Sequence, residues 1–334
     1  MIPLSILDLT PVSSGGTSGQ ALANSVALAR MADAEGFARV WYAEHHSMPG
    51  IASTAPDLLI AHIAPHTTRI RLGAGGVMLP NHAPLRIAEA YRLLEAMHPG
   101  RIDLGLGRAP GTDQRTALAL RGSREALVRD DFQDQLDELV AWCEGLPPGH
   151  AFRAVSAQPD DVPLPPIWLL GSSDYSANLA AARGYPFAFA AHFSPAPPDA
   201  PMLAYRARFT PGVRKTPYAI LALSVFAAET AEAAEALALP TMLAFVWLRT
   251  GRPGRLPTLA EARAYEMNPT EKQVAAQVRA TQIIGTPAEV VARMGDLAER
   301  TRADEIMLTT HASDNVGRLA SFERVAKAWG ARVG

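Results

Sequence analysis

Trp41-Tyr42-Ala43-Glu44-His45-His46 is the stretch whose reading decides the fold. It ends a short apolar run, Ala38 to Ala43, which stops abruptly in a carboxylate and two adjacent imidazoles before the loop Ser47-Met48-Pro49-Gly50. A buried strand that finishes in Glu44-His45-His46 sets titratable groups where a sheet meets solvent. Histidine is the side chain best suited to exchange a proton near neutral pH. The segment also fits a solvated loop with two surface histidines, so the rest of the chain must decide.

Outward from that strand the same alternation recurs. Ile2 to Leu9 reads as a first strand, followed by a Ser/Gly-rich loop and a helix from Gln20 to Glu35 that stops at Gly36. After Ala38–Ala43 come a helix near Pro56–Pro65, the apolar run Ile70–Leu79, a helix opened by Pro84, and the strand Ile102–Gly107. A polar stretch, Thr112 to Gly145, carries a helix from about Asp130, and the proline-rich Pro147–Pro166 reads as a surface excursion. Ile167–Leu170, Phe187–Ala191, Ala219–Ala227 and Glu305–Thr309 complete the strands, with amphipathic helices between them and a last helix over Asn315–Trp329.

Parallel strands need helical crossovers, and they read as continuous apolar runs because both faces are buried. Eight such units predict an α/β protein with a closed (β/α)₈ TIM barrel, in one domain over residues 1–334. A doubly wound open sheet is the competing arrangement. Residues 249–280 form an insertion between strands seven and eight. Its opening, Arg249-Thr250-Gly251-Arg252-Pro253-Gly254-Arg255-Leu256-Pro257, predicts a mobile loop or lid.

Composition narrows the function. The chain has 334 residues, 48% hydrophobic and 19% charged, enough for a large core and too apolar for disorder. Its 31 basic and 33 acidic side chains are intermixed, giving a net charge of −2 and no basic stripe for a nucleic acid. Cys143 is the only cysteine, which leaves no intrachain disulfide and no cysteine-based zinc cluster. No basic-then-apolar leader opens the sequence, and no run approaches the ~18 uninterrupted apolar residues of a membrane span. A cytoplasmic protein is the expectation.

In such a barrel the active site forms at the C-terminal ends of the strands. There the sequence offers Glu44, His45 and His46, then Gly75-Gly76, then Arg108, then Gly171-Ser172-Ser173-Asp174-Tyr175-Ser176, and finally His192 and His311. Ser172, Ser173, Tyr175 and Ser176 stand where a strand turns into a helix, whose first N–H groups suit a phosphate; Arg108 could add a charge-assisted contact. A plain serine N-cap fits the same residues. Two glycines inside an apolar strand mark either a bulge or a close approach of backbone to a flat ligand. Gly105-Leu106-Gly107-Arg108-Ala109-Pro110 lacks the third glycine of a dinucleotide fingerprint.

With these residues in view, the chain resembles the luciferase-like flavin monooxygenase family, whose best-known member is bacterial luciferase. The resemblance is carried by Trp41–His46, Gly73–Pro80, Gly100–Arg108, Gly171–Ala177, Ala191–Phe193, Gly285–Pro287 and Ala303–Thr309, in the family's order over almost the whole chain. It implies a (β/α)₈ barrel that binds reduced FMN, supplied by a separate flavin reductase. The ring is expected against Gly75 and Gly76, where relatives often have a non-proline cis peptide. The phosphate is expected with Arg108, Gly171, Ser172, Ser173 and Tyr175. His45 matches the catalytic histidine, with Glu44 helping to hold it, and a homodimer through the helices after the second and third strands is implied. Gly107 stands where bacterial luciferase carries a reactive thiol, so its pocket shape and light emission are not expected here.

The resulting expectation is an enzyme that uses reduced FMN and O₂ on a small organic substrate, an aldehyde or another apolar compound. His45 would be the general acid/base, oriented by Glu44 or His46. His46, His192 and His311 are candidates for the substrate side, although satisfied structural histidines fit His192 and His311 equally. Three rivals stand beside it: hydride transfer with a deazaflavin, a non-catalytic flavin-binding protein, and a metal-dependent hydrolase using His45, His46, His192 and His311. Adjacent His45 and His46 point apart in an extended chain, so no metal site is expected.

Overall fold

The computed structural model describes residues 2–194 and 196–330. Its apolar runs become strands where both faces can be covered. They are β1 (Leu4–Asp8), β2 (Arg39–Tyr42), β3 (Arg71–Ala74), β4 (Val77–Met78), β5 (Ile102–Gly107), β6 (Ile167–Gly171), β7 (Phe187–Ala190), β8 (Ala219–Ala227), β9 (Gln282–Gly285) and β10 (Glu305–Thr309). Every pairing between these strands is parallel. The register runs Ile6↔Val40, Val40↔Leu72, Leu72↔Ile102, Leu104↔Ile167, Leu169↔Phe187 and Phe187↔Ala219. β10 pairs with β8 through Leu221↔Ile306 and with β1 through Leu4↔Ile306, which closes the barrel. This is the closed parallel (β/α)₈ barrel that the alternation predicts, with helices on its outer surface.

Four local features differ from the sequence reading. The run Ile70–Leu79 is not one strand: it breaks at Gly75-Gly76, whose peptide is cis, so that β3 and β4 are two halves of one stave against β5. β9, only four residues long, pairs with Ser224–Ala227 at the upper end of β8 and had no sequence counterpart. The polar stretch after β5 holds two further helices, Gln114–Arg121 and Arg124–Val128, capped by the side chains of Asp113 and Ser123. Residues 249–280 contain two helices, Leu259–Ala264 and Pro269–Ala280, each opened by a capping box, Thr258 with Glu261 and Asn268 with Glu271. That segment is fastened to the loop after β1 by Leu256 N–H donating to the Val12 carbonyl (3.0 Å) and Ser14 N–H donating to Leu256 (2.7 Å).

Among the described residues the core has two main layers and a small cluster of Phe226, Ala234, Ala238 and Ile284. Between strands and helices lies the larger one, with Ile6, Val40, Leu72, Leu104, Phe187 and Leu308 among its members. Inside the barrel sits a smaller cluster built on Leu7, Trp41, Trp168, Ile220 and Met307. Below it the barrel floor is sealed by charge. Arg39 donates to Glu305 (2.8 Å) and Asp103 (2.7 Å), Tyr218 donates to Glu305 (2.8 Å), and Trp41 Nε1 donates to Asp103 (3.1 Å). These carboxylates are buried, so only complete pairing makes them tolerable.

Candidate active site

A cavity of about 530 Å³ opens at the C-terminal ends of the strands. His45, Gly75, Gly76, Arg108, Gly171, Ser172, Ser173, His192 and His311 all line it. Glu44, His46 and Tyr175 do not. The remaining wall is largely apolar, with Leu7, Trp41, Met48, Ile51, Phe245 and Met307 among its members.

His45 is set by the backbone around it. Its N–H donates to the Ser53 carbonyl (3.0 Å), and its Nδ1 lies 3.1 Å from the Gly111 carbonyl oxygen. A carbonyl only accepts, so this contact keeps the proton on Nδ1 and leaves the Nε2 lone pair as the basic position. Gly111 has φ +66°, and a Cβ there would come within 2.7 Å of the Glu44 carbonyl oxygen, so a glycine is needed to bring that carbonyl to the imidazole. Burial lowers the His45 pKa, with His46 adding to the effect and the Gly111 carbonyl and Glu44 opposing it.

Glu44 makes no hydrogen bond to His45, the contact by which the sequence reading has it hold that imidazole, and acts on it only through its charge. Consecutive side chains on an extended backbone face opposite ways. The buried Glu44 carboxylate therefore accepts from His46 Nε2 (2.8 Å), His82 Nε2 (2.8 Å) and the Met78 N–H (3.0 Å). Burial would raise its pKa, but the hydrogen bonds from His82, His46 and Met78 outweigh that and hold it below the usual carboxylate range. The same contact turns His46 away from the cavity, so the four imidazoles considered for a metal do not converge. Among the described residues no three His, Cys, Asp or Glu side chains are grouped to hold a metal ion.

His192 and His311 line the same cavity as His45. Burial, reinforced by repulsion from His45, pushes His192 down to about 4, with the Ala222 backbone acting the other way; its Nδ1 is buried without a partner. His311 is likewise pushed down to about 4 by burial first and by Arg318, against a smaller upward pull from Asp8. Three imidazoles thus line the cavity in their neutral form at pH 7.

The glycine stave owes its composition to the protein as well as to any ligand. A Cβ on Gly75 would lie 2.8 Å from Leu7 and 3.0 Å from Trp41, and one on Gly76 would lie 2.9 Å from the Gly105 carbonyl oxygen. The bare backbone that results forms part of the cavity wall. At the end of β6, the helix Asp174–Arg183 begins at Ser173 without any side-chain cap. The plain N-cap reading fails there, and the first helical N–H groups keep their partial positive charge. Arg108 approaches from β5, stacked on the Tyr175 ring at 4.0 Å and 3.4 Å from Asp130. Tyr175 therefore supports Arg108 rather than facing the cavity, and its hydroxyl accepts from Gln133 (3.3 Å).

Sequence reasoning missed His82, Gly111 and a whole wall supplied by the helix Ala231–Arg249. Thr241, Ala244, Phe245 and Leu248 of that helix line the cavity at the spacing of one helical face, a signal that was present in the sequence. By length and composition this helix could cross a membrane, yet it packs on β8, β9 and both helices of the 249–280 segment.

The luciferase-like monooxygenase family matches residues 2–305. The chain belongs to that family. It is 43% identical to a luciferase-like monooxygenase of Escherichia coli, over 96% of this chain and 95% of the relative. To the N-acetyl-S-alkylcysteine monooxygenase of Bacillus subtilis it is 35% identical, over 98% of each chain. The crystal structure of apo-MsnO8 superposes with a TM-score of 0.89 at 33% identity, over 99% of both chains. More distant structures with the same fold include an FMN complex of the oxygenating constituent of 3,6-diketocamphane monooxygenase (TM-score 0.73, 20% identity, 98% of this chain and 97% of that one) and an F420-dependent secondary alcohol dehydrogenase (0.66, 13%, 98% of each).

Proposed function

We propose that this chain is a flavin-dependent monooxygenase that uses reduced FMN and O₂ on a small, largely apolar organic substrate. The observation that carries the reading is that His45, the Gly75–Gly76 backbone and the uncapped turn at Ser172–Ser173 line one cavity. A flat ring fits against the side-chain-free stave. A phosphate fits the free N–H groups of helix Asp174–Arg183, the hydroxyls of Ser172, Ser173 and Ser176, and the Arg108 guanidinium.

When bound, the reduced flavin would supply the electrons for O₂ activation. The protein's own work is then to exclude water and to handle a proton. Trp41, Ile51, Phe245 and Met307 line the cavity with apolar surface that disfavours water. His45, neutral and with its Nδ1 proton held by Gly111, can take a proton at Nε2 and return it. His192 and His311, also neutral, offer hydrogen bonds to a substrate without placing a charge in the cavity. The reading includes a separate reductase as donor of reduced FMN, because the chain has no nicotinamide fingerprint.

The test is oxygen uptake by the purified protein with a flavin reductase, NADH and FMN, across S-alkyl thioethers, aldehydes and alkanes. Thioethers come first because a relative covering the whole chain is named for S-alkylcysteine oxygenation. Substrate-dependent uptake with an oxygenated product supports the reading. FMN binding with nothing beyond substrate-independent peroxide formation points to a flavin-binding protein, and binding of the deazaflavin alone points to hydride transfer.

A further inference from the structure

The walls of the cavity carry two arginines, Arg108 and Arg249, and among the described residues no aspartate or glutamate. With His45, His192 and His311 neutral, nothing inside balances those charges. Arg108 is engaged, stacked on Tyr175 and beside Asp130, at the end where Ser172 and Ser173 lie. Arg249 is placed differently. It is the last residue of helix Ala231–Arg249, one turn or less beyond Phe245 and Leu248 on the cavity wall.

Its neighbours in sequence are occupied: Arg252 pairs with Glu271 and reaches Tyr265, and Arg255 donates to the Gly16 carbonyl (2.7 Å). The Arg249 side chain makes no hydrogen bond or ion pair to any described residue. Beside it Leu248 is 38% exposed, and Phe193, also on the cavity wall, is 44% exposed. Arg249 is itself exposed, and an apolar mouth that carries an exposed arginine is complementary to a molecule with an apolar body and one anionic group. A neutral hydrocarbon would gain nothing from that charge, and a cation would be repelled by it.

We propose that Arg249 anchors the carboxylate of an otherwise apolar substrate, leaving the apolar end to reach toward His45. The proposal rests on the flavin-oxygenase reading for which end of the cavity the substrate occupies. A planar guanidinium can hold a carboxylate through two parallel hydrogen bonds, so the anchor also fixes orientation.

Calorimetric titration of the FMN-loaded protein with octanoate and with octanamide tests it, repeated on the protein without FMN. Wild type should bind octanoate about tenfold more tightly than octanamide. Arg249→Gln should erase that preference and leave octanamide and FMN binding unchanged, while Arg255→Gln should keep it. Equal binding of the two probes by wild type, no binding of either at millimolar concentration, or a preference that survives in Arg249→Gln overturns the proposal. So does a loss of FMN affinity in Arg249→Gln, which would assign this arginine to the cofactor phosphate. If the protein takes up no FMN but shows a carboxylate preference that Arg249→Gln removes, the anchor stands and the flavin reading falls.

Discussion

The Nδ1 atom of His45 lies 3.1 Å from the carbonyl oxygen of Gly111, a residue of the loop after β5 at φ +66° whose missing Cβ would otherwise lie 2.7 Å from the Glu44 carbonyl oxygen. One backbone carbonyl thereby selects the tautomer of the imidazole and aims its basic nitrogen away from the loop. His45→Gln keeps a side chain of similar reach but cannot carry a proton in the neutral range. Turnover should fall about 10²–10⁴-fold, the usual worth of a positioned acid/base, with FMN affinity within a factor of two or so. Steady-state oxygen uptake and FMN titration of the same preparation check both halves.

Two half-buried imidazoles, His192 and His311, make stability depend on pH. The unfolded chain takes up protons on these groups as pH falls below about 6.5. The folded protein does not do so on His192 and His311 until about 4. Between those values the unfolded state holds more protons, so the stability that neutral burial leaves intact at pH 7 is lost as pH falls from 6.5 toward 4. Denaturant melts of the ligand-free protein should show a decline of roughly 2–4 kcal/mol over that window. Combining His192→Gln with His311→Gln should flatten it. The Glu44 carboxyl, held low by its hydrogen bonds, contributes in the same direction at still lower pH.

The floor of the barrel should be unforgiving to single changes. Arg39 faces Glu305 and Asp103, both about 1% exposed or less; removing it leaves the buried Glu305 without a cation, held only by the hydroxyls of Tyr218 and Ser5, while Asp103 keeps Arg71 and Trp41. Arg39→Met should destabilise the fold by about 3–5 kcal/mol in urea melts. The cavity is at the opposite end, so FMN affinity at low temperature should be little changed.

Leu58 (68% exposed), Leu93 (52%) and Met97 (47%) project from the helices Pro56–Ile63 and Pro84–Met97, which pack side by side. Large apolar side chains left exposed on two packed helices fit a protein interface, and we propose that two copies of the chain meet there. Sedimentation at micromolar concentration should give twice the 35.6 kDa chain mass for wild type. Replacing Leu58 and Leu93 together with Glu should give the single chain. A wild type of 35.6 kDa would contradict the proposal.

Much of the barrel was legible because a strand buried on both faces leaves an unbroken apolar run such as Ala219–Ala227, which matched its final bounds. β9 was not, since four residues opened by a glutamine carry too little pattern. The capping boxes Thr258–Glu261 and Asn268–Glu271 were readable, but the Gly/Pro-rich stretch before them suggested an irregular loop. At the site, residue types at strand ends located His45, Gly76 and Ser172, because topology alone brings such ends together. The partner of Glu44 was illegible: it depends on which way alternate side chains face and on His82, 38 residues away. The wall from Thr241 to Leu248 was overlooked because a helical stripe reads equally as core packing.

The most direct measurement is a titration of the purified protein with FMN, riboflavin and the deazaflavin coenzyme, followed by flavin fluorescence, for wild type and Arg108→Ala. Wild type should bind FMN at micromolar concentration or tighter and at least about tenfold better than riboflavin, which lacks the phosphate. Arg108→Ala should lose most of that difference while its riboflavin affinity holds. Wild type that binds FMN no better than riboflavin, or binds none of the three, would contradict the claim that this cavity is built around a phosphorylated flavin.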